Sequence, residues 1–179
     1  MVQRRFHYDN AFEYYLRAKA IPYVGVDEAR KALHGPKKLK SFDFVVYAPS
    51  GPNLLVDVKG RKHSGRSRSQ LDNWVTEDDV ADLVQWQRVF GQGFIAALVF
   101  LYWCEAQPPD ALFHEIFEHR DRWYAVLGVT LEEYRAHMKP RSAKWKTVHV
   151  PAADFGRIAQ PLDVLMGTSV NQPEAGASK

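Results

Sequence analysis

The stretch "SFDFVVYAPSGPNLLVDVKGRK", residues Ser41 to Lys62, carries two apolar runs separated by the turn-rich segment "APSGPN". Proline, glycine, serine and asparagine between apolar runs are typical of a turn that joins two strands. Each run contains one aspartate at a position where a buried strand is normally apolar, Asp43 in the first and Asp57 in the second, and Lys59 follows two residues later. The stretch therefore predicts a β-hairpin with charged side chains on one of its faces.

The alternation of side chains along a strand sets which of these charges share a face. Asp57 and Lys59 lie on the same face of the second strand. A turn centred on Ser50 pairs residues whose numbers sum to about 100, whereas a shift of the turn by two residues would change the partners. The centred turn predicts three cross-strand pairs: Phe44 with Val56, Val45 with Leu55, and Asp43 with Asp57.

Two facing carboxylates suggest a bound divalent cation. Like charges opposite each other destabilise a sheet, and a half-buried carboxylate requires a partner. Mg²⁺ prefers such oxygen ligands, and Lys59 on the same face would position a water or a phosphate oxygen. Asp43, Asp57 and Lys59 thus favour phosphodiester hydrolysis. The alternative is that the two aspartates lie on an exposed sheet face and Lys59 forms an ordinary ion pair with them.

Composition restricts the class of protein. The chain has 179 residues, of which 46% are hydrophobic, enough for one domain with a core. The longest apolar run, Phe94 to Cys104, is too short to span a bilayer, and no apolar segment follows the basic start, so we expect neither a membrane span nor a signal peptide. Cys104 is the only cysteine, which excludes an internal disulfide and favours a reducing, cytoplasmic setting.

Charge is unevenly distributed along the chain. Residues 1–68 carry a net charge of +8 and residues 69–179 a net charge of −5, which suggests a polyanionic partner on one face. Basic residues flank the hairpin where a phosphate backbone would need them, although solvated basic loops are the alternative. The predicted DNA contacts are Lys37, Lys38, Lys40, Arg61, Lys62, His63, Arg66 and Arg68.

The rest of the pattern indicates an α/β protein with a mixed sheet. Residues 7–21 have helical spacing of apolar side chains, and residues 27–40 form a basic connector with one helical turn. Thr76, followed by three acids, is typical of a helix start, and that helix ends near Gly91 or Gly93. Residues 94–103 predict a central strand, and residues 114–119 predict an amphipathic helix. Further strands and a short helix follow.

These residues together resemble the PD-(D/E)XK nuclease superfamily. Its signature is matched by Asp43 on one strand, by Asp57-Val58-Lys59 on the next and by Glu13 on the preceding helix. The proline of the signature's name is absent before Asp43. The spacing is most similar to that of the Holliday-junction resolvase branch, and the start "HYDNAFE" also resembles a bacterial family named for its HYExAFE motif, with Asp9 in place of the glutamate. The resemblance covers residues 5–104.

The resemblance implies a fold and a set of roles. The fold is a restriction-endonuclease-like mixed sheet flanked by helices, an αβββαβ core with a C-terminal α/β addition, in one domain over residues 1–166 before a disordered tail. Asp43, Asp57 and the Val58 carbonyl would ligate Mg²⁺, or Mn²⁺ in its place, and Lys59 would orient the attacking water. Glu13 would bind through water or hold a second metal, and Gln85 would assist. From the residues alone, Glu13 equally suits an i+4 pair with Arg17, and Gln85 suits a surface position.

The function implied is a metal-dependent DNA endonuclease, selective for branched DNA, in repair or recombination. Resolvase-like members act as homodimers. No base-reading pattern is present in the basic segments, so we expect recognition by shape and backbone. The alternatives are a non-catalytic nucleic-acid-binding protein on the same fold, and a structural role in which the carboxylates form salt bridges.

Overall fold

The structure is a computed structural model that describes residues 3–26, 32–34, 37–64, 71–106 and 113–167. Arg66, Arg68 and nearly all of the predicted tail lie outside these residues. Five helices and eleven strands are formed by the described residues. In chain order they are α1 (Gln3–Ala18), β1 (Tyr23–Gly25), β2 (Ala32–His34), β3 (Lys37–Leu39), β4 (Phe44–Val46), β5 (Asn53–His63), β6 (Val75–Thr76), α2 (Glu77–Phe90), β7 (Phe94–Cys104), β8 (Ile116–His119), β9 (Arg122–Thr130), α3 (Leu131–His137), β10 (Lys139–Ser142), β11 (Thr147–His149), α4 (Ala152–Ile158) and α5 (Leu162–Leu165).

The predicted hairpin is present with the predicted register. Phe44 pairs with Val56, and Val45 pairs with Leu55, in an antiparallel ladder. Asp43 lies just before β4, and its amide donates to the Val56 carbonyl at 2.9 Å. The turn centred on Ser50 therefore holds, and it brings Asp43 to the same end of the hairpin as Asp57.

A six-stranded mixed sheet forms the centre of the molecule, in the order β1-β4-β5-β7-β9-β8. Strands β5 and β7 run parallel along their whole length, from Asn53 beside Phe94 to His63 beside Cys104. The other pairs are antiparallel. Strand β7 is central and apolar on both faces, as expected of a strand covered by helices on each side.

Helices cover both faces of this sheet. Helices α1 and α5 cover one face, where Phe12 and Leu16 pack against Leu54 and Val56 of β5. Helices α2, α3 and α4 cover the other face, to which Leu55 points. Because side chains alternate along β5, Asp57 and Lys59 share the face of Leu55 and thus point towards α2.

Helix α2 begins where the sequence predicts. The Thr76 hydroxyl accepts a hydrogen bond from the Asp79 amide at 3.0 Å, and the Asp79 carboxylate accepts one from the Thr76 amide at 3.2 Å. This reciprocal capping box satisfies two amides that the first turn leaves without helical partners. The helix ends at Gly91, whose φ of 72° suits glycine.

Two segments differ from the sequence-based expectation. Residues 32–34 and 37–39 pair as the antiparallel strands β2 and β3, and do not form a helical turn. Residues 116–119 form edge strand β8 instead of a helix, with Phe117 opposite Tyr124 of β9. The hydrogen-bonding edge of β9 outweighs the weak helical pattern of so short a segment. None of the described helices is long and apolar enough to cross a membrane.

Gly60 provides a test of how α1 docks onto β5. A Cβ atom at this position would lie 2.1 Å from Cδ2 of Tyr8, because the tyrosine ring rests directly on the glycine. We expect Gly60→Ala to lower the free energy of unfolding by about 1–3 kcal/mol through overpacking, as measured by urea denaturation. Gly156→Ala in α4 is the matched control, since nothing lies within 4 Å of its Cβ position. Equal stability of the two variants would contradict this docking.

Candidate active site at the open edge of strand β5

Strand β5 continues beyond the end of its neighbour β4. Its residues 54–56 pair with β4, whereas within the described ranges no strand pairs with residues 57–63 on that side. This open edge forms the floor of a cavity of about 650 Å³, between the start of α1 and the start of α2. Its lining includes Asp9, Lys40, Lys59, Arg61, Trp74, Asp79 and Trp103.

The two predicted carboxylates are buried at this edge. Asp43 is 6% exposed and Asp57 is 4% exposed, so the exposed sheet face of the alternative is wrong, whereas its ion pair between Lys59 and an aspartate is present. The Asp43 carboxylate accepts a hydrogen bond from the Val58 amide at 2.6 Å, and thereby satisfies the first β5 amide that β4 no longer reaches. Asp43 thus ends the hydrogen-bond ladder between β4 and β5. It also places a carboxylate beside the Val58 peptide.

Lys59 is held between two carboxylates. Its Nζ lies 2.7 Å from Oδ2 of Asp57 and 3.0 Å from Oδ2 of Asp79. Burial lowers the pKa of Lys59, but the two carboxylates outweigh burial and raise that pKa above its ordinary value. Lys59 is therefore an ammonium ion at neutral pH, so it acts as a hydrogen-bond donor and a fixed positive charge and does not accept a proton.

Asp79 also belongs to the site, although its position in the sequence indicated only a helix cap. Its other carboxylate oxygen lies 2.5 Å from Nζ of Lys40, and the side chain is 7% exposed. Burial raises the pKa of Asp79, but Lys59 and Lys40 lower that pKa by more than burial raises it. The pKa of Asp79 therefore lies well below its ordinary value. The signal that could have identified Asp79 was its position as the third acid after Thr76. A capping-box carboxylate at that position points back beyond the start of its helix.

Helix α1 brings a different carboxylate to the cavity from the one expected. Asp9 lines the cavity, whereas Glu13 does not. Glu13 accepts hydrogen bonds from Arg17 at 2.8 Å and from the Tyr23 hydroxyl at 2.7 Å, so its pairing with Arg17 is confirmed. Asp9 is the residue of "HYDNAFE" that takes the place of the motif's glutamate, and that position was the signal that could have identified it.

Gln85 lies away from the cavity. It is partly buried on α2 and is absent from the cavity lining. Its neighbour Gln87 instead accepts a hydrogen bond from the Ala96 amide at 2.7 Å, which ties the end of α2 to β7.

The predicted DNA-contacting residues divide into three groups. Lys40, Arg61 and Lys62 line the cavity, and Lys38 is exposed beside it. Lys37 lies in β3, where only its backbone is described. His63 is 8% exposed, and its ring packs against Tyr102 and Phe113 in the core.

Aromatic residues position the cavity's cations. The Arg61 guanidinium carbon lies 4.3 Å from the centroid of the Trp74 ring, and Nζ of Lys62 lies 5.4 Å from that of Trp103. A guanidinium or ammonium over an indole face is attracted by the ring quadrupole. The cavity therefore has cationic walls, and its lining also includes the carboxylates of Asp9, Asp72 and Asp79.

The residues predicted to hold the metal offer only oxygen donors. Among the described residues, no three histidine, cysteine, aspartate or glutamate side chains form a metal-binding cluster. The available donors are the carboxylates of Asp43 and Asp57 and the Val58 carbonyl, all of them oxygen. Mg²⁺ is typically bound by one or two carboxylates while it retains several waters, whereas a structural zinc site needs four nitrogen or sulfur ligands.

Comparison with known proteins identifies the fold. No known protein family matches the chain, and no curated protein is significantly similar to it in sequence. Among solved structures, the chain is similar to Hjc, a Holliday junction resolvase from the archaeal hyperthermophile Archaeoglobus fulgidus, with a TM-score of 0.54. The chain has a resolvase-like fold. The match covers 90% of this chain and 99% of Hjc at 14% sequence identity.

The resolvase-like fold confirms the predicted fold class. The mixed sheet with helices on both faces is the architecture that the signature residues implied. At this level of identity the likeness concerns the fold alone, and the chemistry has to be argued from the site.

Proposed function

We propose that the protein is a metal-dependent endonuclease that hydrolyses phosphodiester bonds in branched DNA. The observation that carries this proposal is that buried Asp57 pairs with Lys59 and buried Asp43 bonds the Val58 amide, while Val58 and Lys59 line a cavity with cationic walls. The likeness to a Holliday junction resolvase supports it. The proposal has further parts. They are a role in DNA repair or recombination, a homodimer, a cytoplasmic location, a single domain over residues 1–166 and membership of the HYExAFE family.

The residues have separate roles in this proposal. Asp43, Asp57 and the Val58 carbonyl would hold Mg²⁺ or Mn²⁺, which when bound supplies Lewis-acid activation and lowers the pKa of a coordinated water. The Lys59 ammonium donates hydrogen bonds to the attacking water or to a phosphate oxygen, and it stabilises the negative charge that develops there. Asp9 takes the role that the sequence gave to Glu13, because it is the α1 carboxylate that lines the cavity. We assign no chemical role to Gln85.

Substrate selection would depend on DNA shape. Lys40, Arg61 and Lys62 line the cavity, and such residues contact phosphates irrespective of sequence. Arg61 already donates to the Gly60 carbonyl at 2.8 Å and to the Trp74 carbonyl, which fixes its guanidinium and leaves less freedom for reading base edges. Rigid backbone contacts of this kind select a particular strand geometry, as at a junction.

The test is a metal titration with a panel of nucleic acids. Four-way junction, nicked duplex, intact duplex, single-stranded DNA and RNA are incubated with the protein while Mg²⁺ or Mn²⁺ is varied. We expect cutting only with metal, fastest on the junction. Calorimetry on Asp43→Asn should show metal affinity reduced by about tenfold or more, whereas Glu132→Gln, an exposed carboxylate on α3, should retain the wild-type affinity.

Two outcomes would overturn this proposal. Tight binding to nucleic acid without cutting in either metal would identify a binding protein on the same fold. Neither binding nor metal uptake would leave the buried charges with a structural role alone.

A further inference from the structure

A second, smaller cavity lies beside the proposed active site. Its volume is about 190 Å³, and it is lined by His7, Asn10, His119, Arg120, Arg122 and Tyr124. It shares His7 with the larger cavity. Among the described residues that line it, none carries a carboxylate. The cavity therefore combines two guanidinium groups and two imidazoles and suits an anion.

The turn between β8 and β9 holds one of these arginines in an unusual backbone conformation. Arg120 and Asp121 have φ values of 51° and 57°, the left-handed region that two-residue hairpin turns require. Asparagine and glycine are the residues preferred in such turns. Arginine is uncommon at such a position, which makes Arg120 a candidate for a functional side chain.

Trp103 connects the two cavities. It lines the larger cavity, and the Arg122 guanidinium carbon lies 4.7 Å from the centroid of its ring. Lys62, a wall residue of the larger cavity, contacts the same indole at 5.4 Å. One aromatic ring thus holds a cation of each cavity, and the positive surface continues from the active site to the β8–β9 turn.

His119 provides an observation independent of surface charge. Its Nε2 atom is buried and has no hydrogen-bond partner in the part of the chain that the structure describes. Its ring is fixed 4.6 Å from the ring of Tyr14. A buried polar atom without a partner is costly, and His119 is one of the residues that line the cavity.

We propose that this cavity is a second phosphate-binding subsite, which holds the backbone of the nucleic acid at a phosphate away from the bond that is cut. The inference rests on the proposed function, and it deepens it by assigning a role to the chain beyond residue 104. Arg120 and Arg122 neutralise the phosphate, and His119 donates a hydrogen bond to it. The subsite contributes to affinity and takes no part in the chemistry.

The experiment measures the affinity for duplex DNA at several salt concentrations. It compares the double variant Arg120→Gln/Arg122→Gln with the wild type. Each phosphate contact adds about 0.9 to the slope of log affinity against log salt on duplex DNA. We expect the slope to fall by about 0.9 and affinity at low salt to fall about tenfold, with an unchanged cleavage rate at saturating protein. Arg120→Lys/Arg122→Lys should restore most of the slope. Arg135→Gln, an exposed residue on α3, is the matched control.

The outcomes separate this inference from the proposed nuclease. A wild-type slope and affinity in the double glutamine variant would overturn the subsite, whether or not the protein cuts. Loss in that variant together with binding but no cutting by wild type would support the subsite and overturn the nuclease. If wild type binds no nucleic acid, both fail. The single variants Arg120→Gln and Arg122→Gln supply the same comparison should the double variant unfold.

Discussion

Lys59→Ala is expected to lower the rate of DNA cleavage by about 10²- to 10³-fold, which is typical of removing one preorganised donor from an active site. Lys59 is the cation fixed at the cavity floor by Asp57 and Asp79, and its raised pKa keeps it charged. DNA affinity should change little, because Lys40, Arg61 and Lys62 in the cavity walls remain. Single-turnover cleavage of a four-way junction at saturating protein measures the chemical step alone.

Two further variants complete this experiment. Lys59→Arg keeps the charge but places a planar guanidinium where a compact ammonium fits, so we expect only partial cleavage activity. Lys144→Ala removes an exposed cation beside Trp145 and should leave cleavage unchanged. Reactions run below the unfolding transition of every variant, because the alanine leaves Asp57 and Asp79 without their shared cation. Cleavage by Lys59→Ala at the wild-type rate would remove Lys59 from the mechanism.

Asp79→Asn should reduce the free energy of unfolding at pH 7 by about 1.5–3 kcal/mol, as expected for hydrogen bonds to charged groups in a buried site. The carboxylate bonds both Lys59 and Lys40 and is 7% exposed. Its folded pKa lies below the ordinary value of 3.8, so the stabilisation is present above about pH 4 and is lost as pH falls towards the folded pKa. Urea denaturation at several pH values measures the difference.

The pH dependence distinguishes this ion-pair network from simple loss of packing. The wild-type protein should lose stability below pH 4, and its advantage over Asp79→Asn should shrink in the same range. Asp78→Asn is the matched control, because Asp78 is an exposed acid in the same helical turn and contributes only about 0.3–1 kcal/mol through the helix dipole. A difference between wild type and Asp79→Asn that does not vary with pH would contradict the assignment.

The parts of the molecule that sequence predicted well depend on local chemistry. The hairpin register follows from strand alternation and one turn, and the start of α2 follows from a hydroxyl and three acids within four residues. Both signals span only short stretches of chain, so tertiary packing had little to add. The same reasoning placed Asp43, Asp57 and Lys59 together.

The remaining site residues depend on how distant elements meet. Asp9 and Glu13 lie one turn apart on α1, and only the docking of Tyr8 on Gly60 decides which of them reaches the cavity. Asp79 looks like an ordinary cap until α2 is placed across β5. Strand β8 was mistaken for a helix because a four-residue segment carries too little pattern to outweigh an available strand edge.

The open edge of β5 has a consequence for association between copies of the chain. Unpaired backbone groups along a strand edge can pair with the strand of another molecule, and proteins commonly prevent this with lysine and arginine at the edge. Residues 57–63 carry Lys59, Arg61 and Lys62 at this position. We therefore expect Arg61 and Lys62, which are proposed to contact phosphates, also to oppose pairing of this edge with another molecule, so that solubility and substrate binding restrict the same side chains.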